Sequence, residues 1–135
     1  MPMSDDARLF IGITIITVPT IVYGGLAVLG VVSQGRFGLH RIALTPEQTS
    51  FFRAGHAHAG VLLLFSLVIQ LLLDQAHLPA PWIQFARVAA PSAAIAVSGG
   101  FFGIAFLPAF RFLLYFGAFL VAAATLLTGI GLLVS

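Results

Sequence analysis

The chain has 135 residues, of which 60% are hydrophobic and only 7% are charged, with a formal net charge of +2. A soluble domain carries about 25% charged residues, so this composition excludes an ordinary soluble domain and favours lipid as the solvent. The absence of cysteine excludes disulfides, iron–sulfur clusters and thiolate zinc sites. All six positive charges are arginines that form no basic patch, so nucleic acid is not an expected partner.

The first predicted element is a helix over residues 9–32, an uninterrupted apolar run. At 1.5 Å per residue its roughly 24 residues reach about 36 Å, which is enough to span a bilayer with some tilt. Ser4, Asp5 and Asp6 precede this run and supply a capping group and negative charge, both of which favour a helix start. Pro19 lies in the middle and predicts a bend.

The second predicted helix covers residues 46–74 and follows a predicted loop over residues 33–44. Thr45 is the expected N-cap, Pro46 occupies the first helical position, and Gln48 completes the capping-box spacing. The first turns of this helix are amphipathic, so we expect them to lie at the membrane interface.

The third and fourth predicted helices cover residues 83–107 and 109–134. A short turn with two prolines separates the second helix from the third, and Trp82 is a candidate interfacial anchor. Because short connections favour antiparallel neighbours, the expected fold class is all-α, an integral membrane four-helix up-down bundle. Residues 1–135 then form a single transmembrane domain.

The arginines predict how this bundle is oriented. The predicted helices place four on one side and two on the other: Arg36, Arg41, Arg53 and Arg111, against Arg8 and Arg87. The positive-inside rule then puts the first and third loops in the cytoplasm and both termini outside. The expected location is a bacterial inner (plasma) membrane, with the lipid bilayer as a partner.

The second helix carries the candidate site, Arg53-x2-His56-x-His58, within its apolar run. Ionisable groups inside a membrane-length helix are energetically costly, so each is a functional hypothesis. At 100° per residue His56 lies on one polar stripe that we expect to face the bundle interior. The other members of the stripe are Thr49, Arg53, Gln70 and Asp74.

His56 and His58 are expected to serve different surroundings. His58 lies about 200° from His56 around the helix, facing a partner chain, a second ligand or lipid, so the two cannot share one metal ion. His56 is either a ligand or a buried polar residue bonded to a neighbouring helix, and Tyr23 and Tyr115 are its candidate partners.

Three further features complete the predicted site. The simplest interpretation of Arg53 is an interfacial residue whose guanidinium reaches lipid phosphate or water. Asp74 and His77 are expected to be solvated. Glycines gather in the membrane half that contains His56, where they allow close helix packing or leave a slot for a flat ligand such as haem. They are Gly24, Gly25, Gly55, Gly60, Gly99, Gly100, Gly103 and Gly117.

The segment Gly55-His56-Ala57-His58-Ala59-Gly60 resembles the His-Ala-His helices of subunit I in haem–copper oxidases and nitric oxide reductases. In that superfamily the two histidines point to opposite sides of one helix and ligate different cofactors. The resemblance covers this short segment, and it implies that His56 and His58 are each an axial haem or metal ligand. Neither His40 nor His77 lies in an apolar run, so the further copper ligands have no counterpart.

Three functions remain open. The first is a small membrane protein that binds haem or a metal in a respiratory or redox context, with any haem five-coordinate, bound by a non-histidine sixth ligand, or shared across an interface. The second is a non-catalytic accessory subunit of a larger membrane complex. The third is a homo-oligomeric transporter or channel lined by the polar stripe. No nucleophile–base set, phosphate loop or intramembrane carboxylate pair is present, so a stand-alone enzyme is not expected.

Overall fold

The computed structural model describes residues 3–33, 36–37 and 44–134, and this part of the chain is helical throughout its regular elements. Its elements are α1 (Asp5–Val32), α2 (Pro46–Leu73), α3 (Ala80–Ile104), a 3₁₀-helix (Pro108–Phe110) and α4 (Arg111–Leu133). Four helices are long and apolar enough to cross a membrane, which confirms the all-α prediction. His40, Arg41 and most of the predicted loop at 33–44 lie outside the described residues.

Polar side chains define where α1 and α2 begin. Ser4 Oγ accepts the N–H of Ala7 at 3.1 Å, so α1 starts at Asp5, ahead of its apolar run. Thr45 Oγ1 accepts the N–H of Gln48 at 3.2 Å, and Gln48 Oε1 accepts the N–H of Thr45 at 3.0 Å. This capping box satisfies two backbone donors at the start of α2, as the sequence predicts.

α3 occupies the middle of the structure, with α2 and α4 packed against it, while α1 packs mainly on α2. α3 and α4 approach each other backbone to backbone. A methyl group at Gly100 would lie 2.8 Å from Leu114 Cα, and one at Gly117 would lie 2.7 Å from the backbone nitrogen of Val97. These two glycines therefore allow the close approach that small residues provide between apolar helices.

The hydrophobic core lies between α2, α3 and α4, towards the end of the structure that contains the α2–α3 turn. It is rich in alanine on α3 and closed by larger side chains from the two neighbours: Ile69, Leu73, Ala86, Ala89, Ala90, Ala93, Leu120 and Ala124. α1 contributes nothing to this cluster and buries little of its own length. α1 therefore packs on α2 less extensively than α3 does.

Candidate functional site

His56 lies where α1 packs on α2. Its side chain is half-buried, and a methyl group at Gly25 would lie 3.0 Å from both Cε1 and Nε2 of the imidazole. The edge of the ring that carries Nε2 therefore rests against the backbone of α1. The missing side chain at Gly25 is what makes room for the imidazole between the two helices.

His58 lies on the outer surface of α2, next to α3. It is exposed, its Nδ1 is 2.7 Å from the carbonyl oxygen of Ala54, and its ring centroid is 4.8 Å from that of Phe101. Because a carbonyl oxygen only accepts, this hydrogen bond requires the proton on Nδ1. In the neutral imidazole Nε2 is then the free acceptor, which is the protonation state of a metal-ligating histidine.

The two tyrosines project away from the helix contacts that surround His56. Tyr23 is 55% exposed and Tyr115 is 63% exposed. Tyr23 stands two residues, about 200°, from Gly25, and Tyr115 stands the same angle from Gly117, which packs on α3. Both phenols therefore lie on outward faces. Arg53 is also exposed, in keeping with an interfacial position.

A second polar cluster lies at the other end of α2, where Gln70 and Arg87 are almost completely buried. Gln70 Nε2 donates to the carbonyl oxygen of Arg87 at 2.8 Å. Arg87 Nη1 donates to the backbone and side-chain oxygens of Gln70, at 3.2 and 3.1 Å. Pro91 explains the first bond, because a proline has no N–H to donate to the carbonyl four residues earlier, here that of Arg87.

Asp74 joins this cluster to the start of α1, so the expectation that it is solvated is wrong. Arg87 Nη2 forms an ion pair with Asp74 Oδ1, and Ser4 donates to the same carboxylate from its backbone N–H and its hydroxyl, at 2.8 and 2.5 Å. Burial alone would raise the pKa of Asp74, but the hydrogen bonds from Ser4 and the Arg87 guanidinium lower it below its usual value. Sequence periodicity placed Gln70 and Asp74 on one polar stripe. It missed Arg87, because Arg87 lies on a different helix, α3.

Arg87 is therefore not the surface charge that the sequence suggested. It is 3% exposed and paired inside the structure, whereas His77, as expected, has an exposed side chain. The sequence did contain one signal for this contact, the position of Pro91. A proline at 91 leaves the carbonyl oxygen of Arg87 without its helical donor, and a buried carbonyl oxygen needs a donor from elsewhere, here Gln70. This cluster joins the start of α1 to α2 and α3 by hydrogen bonds and an ion pair, so its role is structural.

A metal ion and a haem require different sets of ligands from the described residues. They contain no group of three or more His, Asp or Glu side chains that could hold a metal ion. Haem supplies four nitrogen ligands from its own ring and needs only axial ligands from protein. The Nε2 edge of His56 is covered by α1, so a flat ring does not fit there, whereas the free Nε2 of His58 on the outer surface fits an axial ligand.

No family model, no curated protein and no solved structure matches this chain significantly. The chemistry of its own residues is therefore the basis for assigning a function.

Proposed function

We propose that the chain is an integral protein of the bacterial inner membrane, folded as an up-down four-helix bundle. The contacts at one end support this topology. Ser4, at the start of α1, bonds to Asp74, just after α2, and accepts a hydrogen bond of 3.3 Å from Arg87 near the start of α3. The N–H of His77 donates to the carbonyl oxygen of Gly131 near the end of α4, at 2.7 Å. Successive helices would then run in opposite directions.

The distribution of exposed arginines supports an orientation with both termini outside. Among the described residues, Arg36, Arg53 and Arg111 are exposed and belong to the end opposite the Asp74 cluster. Arg8 is the exposed arginine at the Asp74 end, since Arg87 is buried and paired. The positive-inside rule assigns the richer end to the cytoplasm.

Within this bundle, His58 is the proposed axial ligand of a haem on the outer surface of α2. The observation that carries the proposal is the hydrogen bond from Nδ1 to the carbonyl oxygen of Ala54, which leaves the electron pair of Nε2 free on an exposed side chain. Metal-ligating histidines commonly donate their other N–H to a carbonyl in this way. An acceptor facing lipid tails would have no partner and would carry a desolvation cost, so a metal centre or a donor is expected there.

Haem bound to His58 would be shared or incompletely ligated by this chain, because His56 points to α1 instead. This chain would supply one ligand to the haem, and any further ligand would come from a small molecule or a second subunit. The proposed role is therefore a haem-carrying subunit of a homo-oligomer or larger membrane complex in a redox context, without stand-alone catalysis. Haem would supply one-electron chemistry there, and this chain's residues would hold and orient it.

An accessory subunit without a cofactor is the second candidate, and the exposed ring of His58, packed on the half-buried ring of Phe101, favours it as a contact for a partner. A transporter is less favoured. Gln70 and Asp74, which would line its path, are bonded to Arg87 inside one chain.

The absorption spectrum of the protein, produced with an adequate haem supply and purified in mild detergent, tests the haem proposal. We expect a Soret band and stoichiometric iron, both lost in His58→Ala. His77→Ala is the matched control, because this exposed histidine lies outside the helices and should leave both signals unchanged. A colourless wild-type protein without stoichiometric metal would refute the proposal and leave the accessory subunit as the better account.

A further inference from the structure

A cavity of about 360 Å³ lies between α1, α2 and α3, and neither His56 nor His58 lines it. Its volume falls within the range of small-molecule sites in proteins. Ile13 and Ile95, which line it on α1 and α3, are 54% and 76% exposed. The cavity therefore opens sideways between α1 and α3, onto a surface that faces lipid in the proposed topology.

Two hydroxyl groups in the wall of this cavity lack hydrogen-bond partners in the part of the chain that the structure describes. Ser66 is 1% exposed and Ser98 is 6% exposed, and neither Oγ has a hydrogen-bond partner among the described residues. Buried hydroxyls in proteins are nearly always hydrogen-bonded, to protein or to another molecule. These two serines, on α2 and α3, are therefore available to a molecule within the cavity.

The threonines on the opposite wall are already donors to their own helix. Thr14, Thr17 and Thr20 donate to the carbonyl oxygens of Phe10, Thr14 and Thr17, at 2.7, 2.7 and 2.6 Å. Donation from this cavity to a ligand thus falls to Ser66 and Ser98. The remaining lining is aliphatic, and no ionisable side chain occurs among the described residues that form it.

These features define the chemistry of the occupant. It is uncharged, because no counter-charge is present, and largely apolar, because most of the wall is aliphatic. It also carries an oxygen that accepts hydrogen bonds, which the hydrocarbon tail of a lipid lacks. We propose that the cavity binds a membrane-soluble carbonyl compound of the quinone class, with Ser66 and Ser98 donating to its carbonyl oxygens.

The test compares menadione, a small quinone, with methylnaphthalene, which has the same fused rings and methyl group without the carbonyl oxygens. Binding of each to the protein in lipid nanodiscs is measured by calorimetry, and the absence of cysteine removes the thiol reaction of menadione. We expect menadione to bind at least about tenfold more tightly than methylnaphthalene, because each hydrogen bond it accepts adds affinity.

The double variant S66A/S98A should bind both compounds equally and weakly, while its fold is retained because neither hydroxyl has a partner to lose among the described residues. S50A is the matched control, since Ser50 is exposed and bonds to the carbonyl oxygen of Pro46, far from the cavity. It should keep the wild-type preference. Equal binding of the two compounds to the wild type would show an apolar cleft for lipid tails and overturn the proposal. Failure of either compound to bind, or an unchanged preference in S66A/S98A, would also overturn it.

Discussion

Gln70 and Arg87 bind one another across the α2–α3 interface through three hydrogen bonds, one of which replaces a backbone bond that α3 lacks. The amide of Gln70 takes the carbonyl oxygen that Pro91 leaves without a donor. The oxygens of Gln70, together with Asp74, satisfy part of the guanidinium. The carbonyl oxygen that Pro91 leaves without a helical donor, and the buried charge of Arg87, are thus paired with neighbouring side chains.

Replacing Gln70 with leucine should destabilise the bundle by about 2–3 kcal/mol, because it leaves buried polar groups of Arg87 without partners. Denaturant unfolding in detergent, followed by circular dichroism, measures the change. Gln75→Leu is the matched control, since Gln75 is exposed just after the end of α2, and it should have little effect.

The role of Pro91 can be separated in the double variant Gln70→Leu/Pro91→Ala. Alanine restores the backbone N–H that bonds to the carbonyl of Arg87, so part of the lost stability should return. The contradicting result is that Pro91→Ala changes the free energy of unfolding equally in the Gln70→Leu background and in the wild type. The carbonyl oxygen of Arg87 would then not be the group that Gln70 stabilises.

Asp74 should make stability depend on acid. Since its pKa is lowered in the folded state, its ionised form stabilises the fold at pH values above the usual aspartate pKa. This contribution is lost as the pH falls through the lowered pKa. Asp74→Asn should therefore cost about 1–3 kcal/mol near neutral pH and progressively less below about pH 4. The measurement is the free energy of unfolding across a pH series.

Asp5→Asn is the control for that series. Its carboxylate is fully exposed and pairs with Arg8 at 3.6 Å, so solvent screens the interaction and stability should hardly change. A constant difference between Asp74→Asn and the wild type down to the lowest pH would show that the charge of Asp74 does not stabilise the fold.

Gly24→Ala should stabilise the protein and Gly25→Ala should not. A methyl group at Gly24 meets no atom within 4 Å, so alanine there should gain up to about 1 kcal/mol from helix propensity. A methyl group at Gly25 would meet the His56 ring at 3.0 Å and displace it, so this gain should be cancelled or reversed. Thermal unfolding compares the two variants, and equal stability would mean that His56 does not rest on α1.

The close approach of α3 and α4 predicts a similar contrast between neighbouring glycines. Gly100→Ala places a methyl group 2.8 Å from the backbone of Leu114, whereas Gly99→Ala meets Leu113 at an ordinary 3.7 Å. Overpacking should cost Gly100→Ala about 1–3 kcal/mol, and Gly99→Ala should be neutral or stabilising. Detergent unfolding of both proteins provides the comparison, and a neutral Gly100→Ala would contradict the observed helix spacing.

Apolar runs and capping residues were enough to predict the four helices, because both signals depend only on residues that are close together in the sequence. Thr45 and Gln48 form the expected cap. Arg87 shows the limit, since its charge looks like a loop charge until α2 supplies Gln70 and Asp74. The opposite directions of His56 and His58 follow from helix geometry. The contacts of His56 with Gly25 and of His58 with Phe101 depend on how the helices pack, which periodicity within one helix cannot predict.

The most direct test of the proposed function compares the variants His58→Ala and His56→Ala. Haem content per chain and thermal stability are measured for both. We predict that His58→Ala loses the haem and weakens assembly while the single bundle stays folded. His56→Ala should retain the haem but lower stability, since it empties the space against Gly25. Full haem content in His58→Ala, with loss confined to His56→Ala, would contradict the assignment of His58 as the ligand.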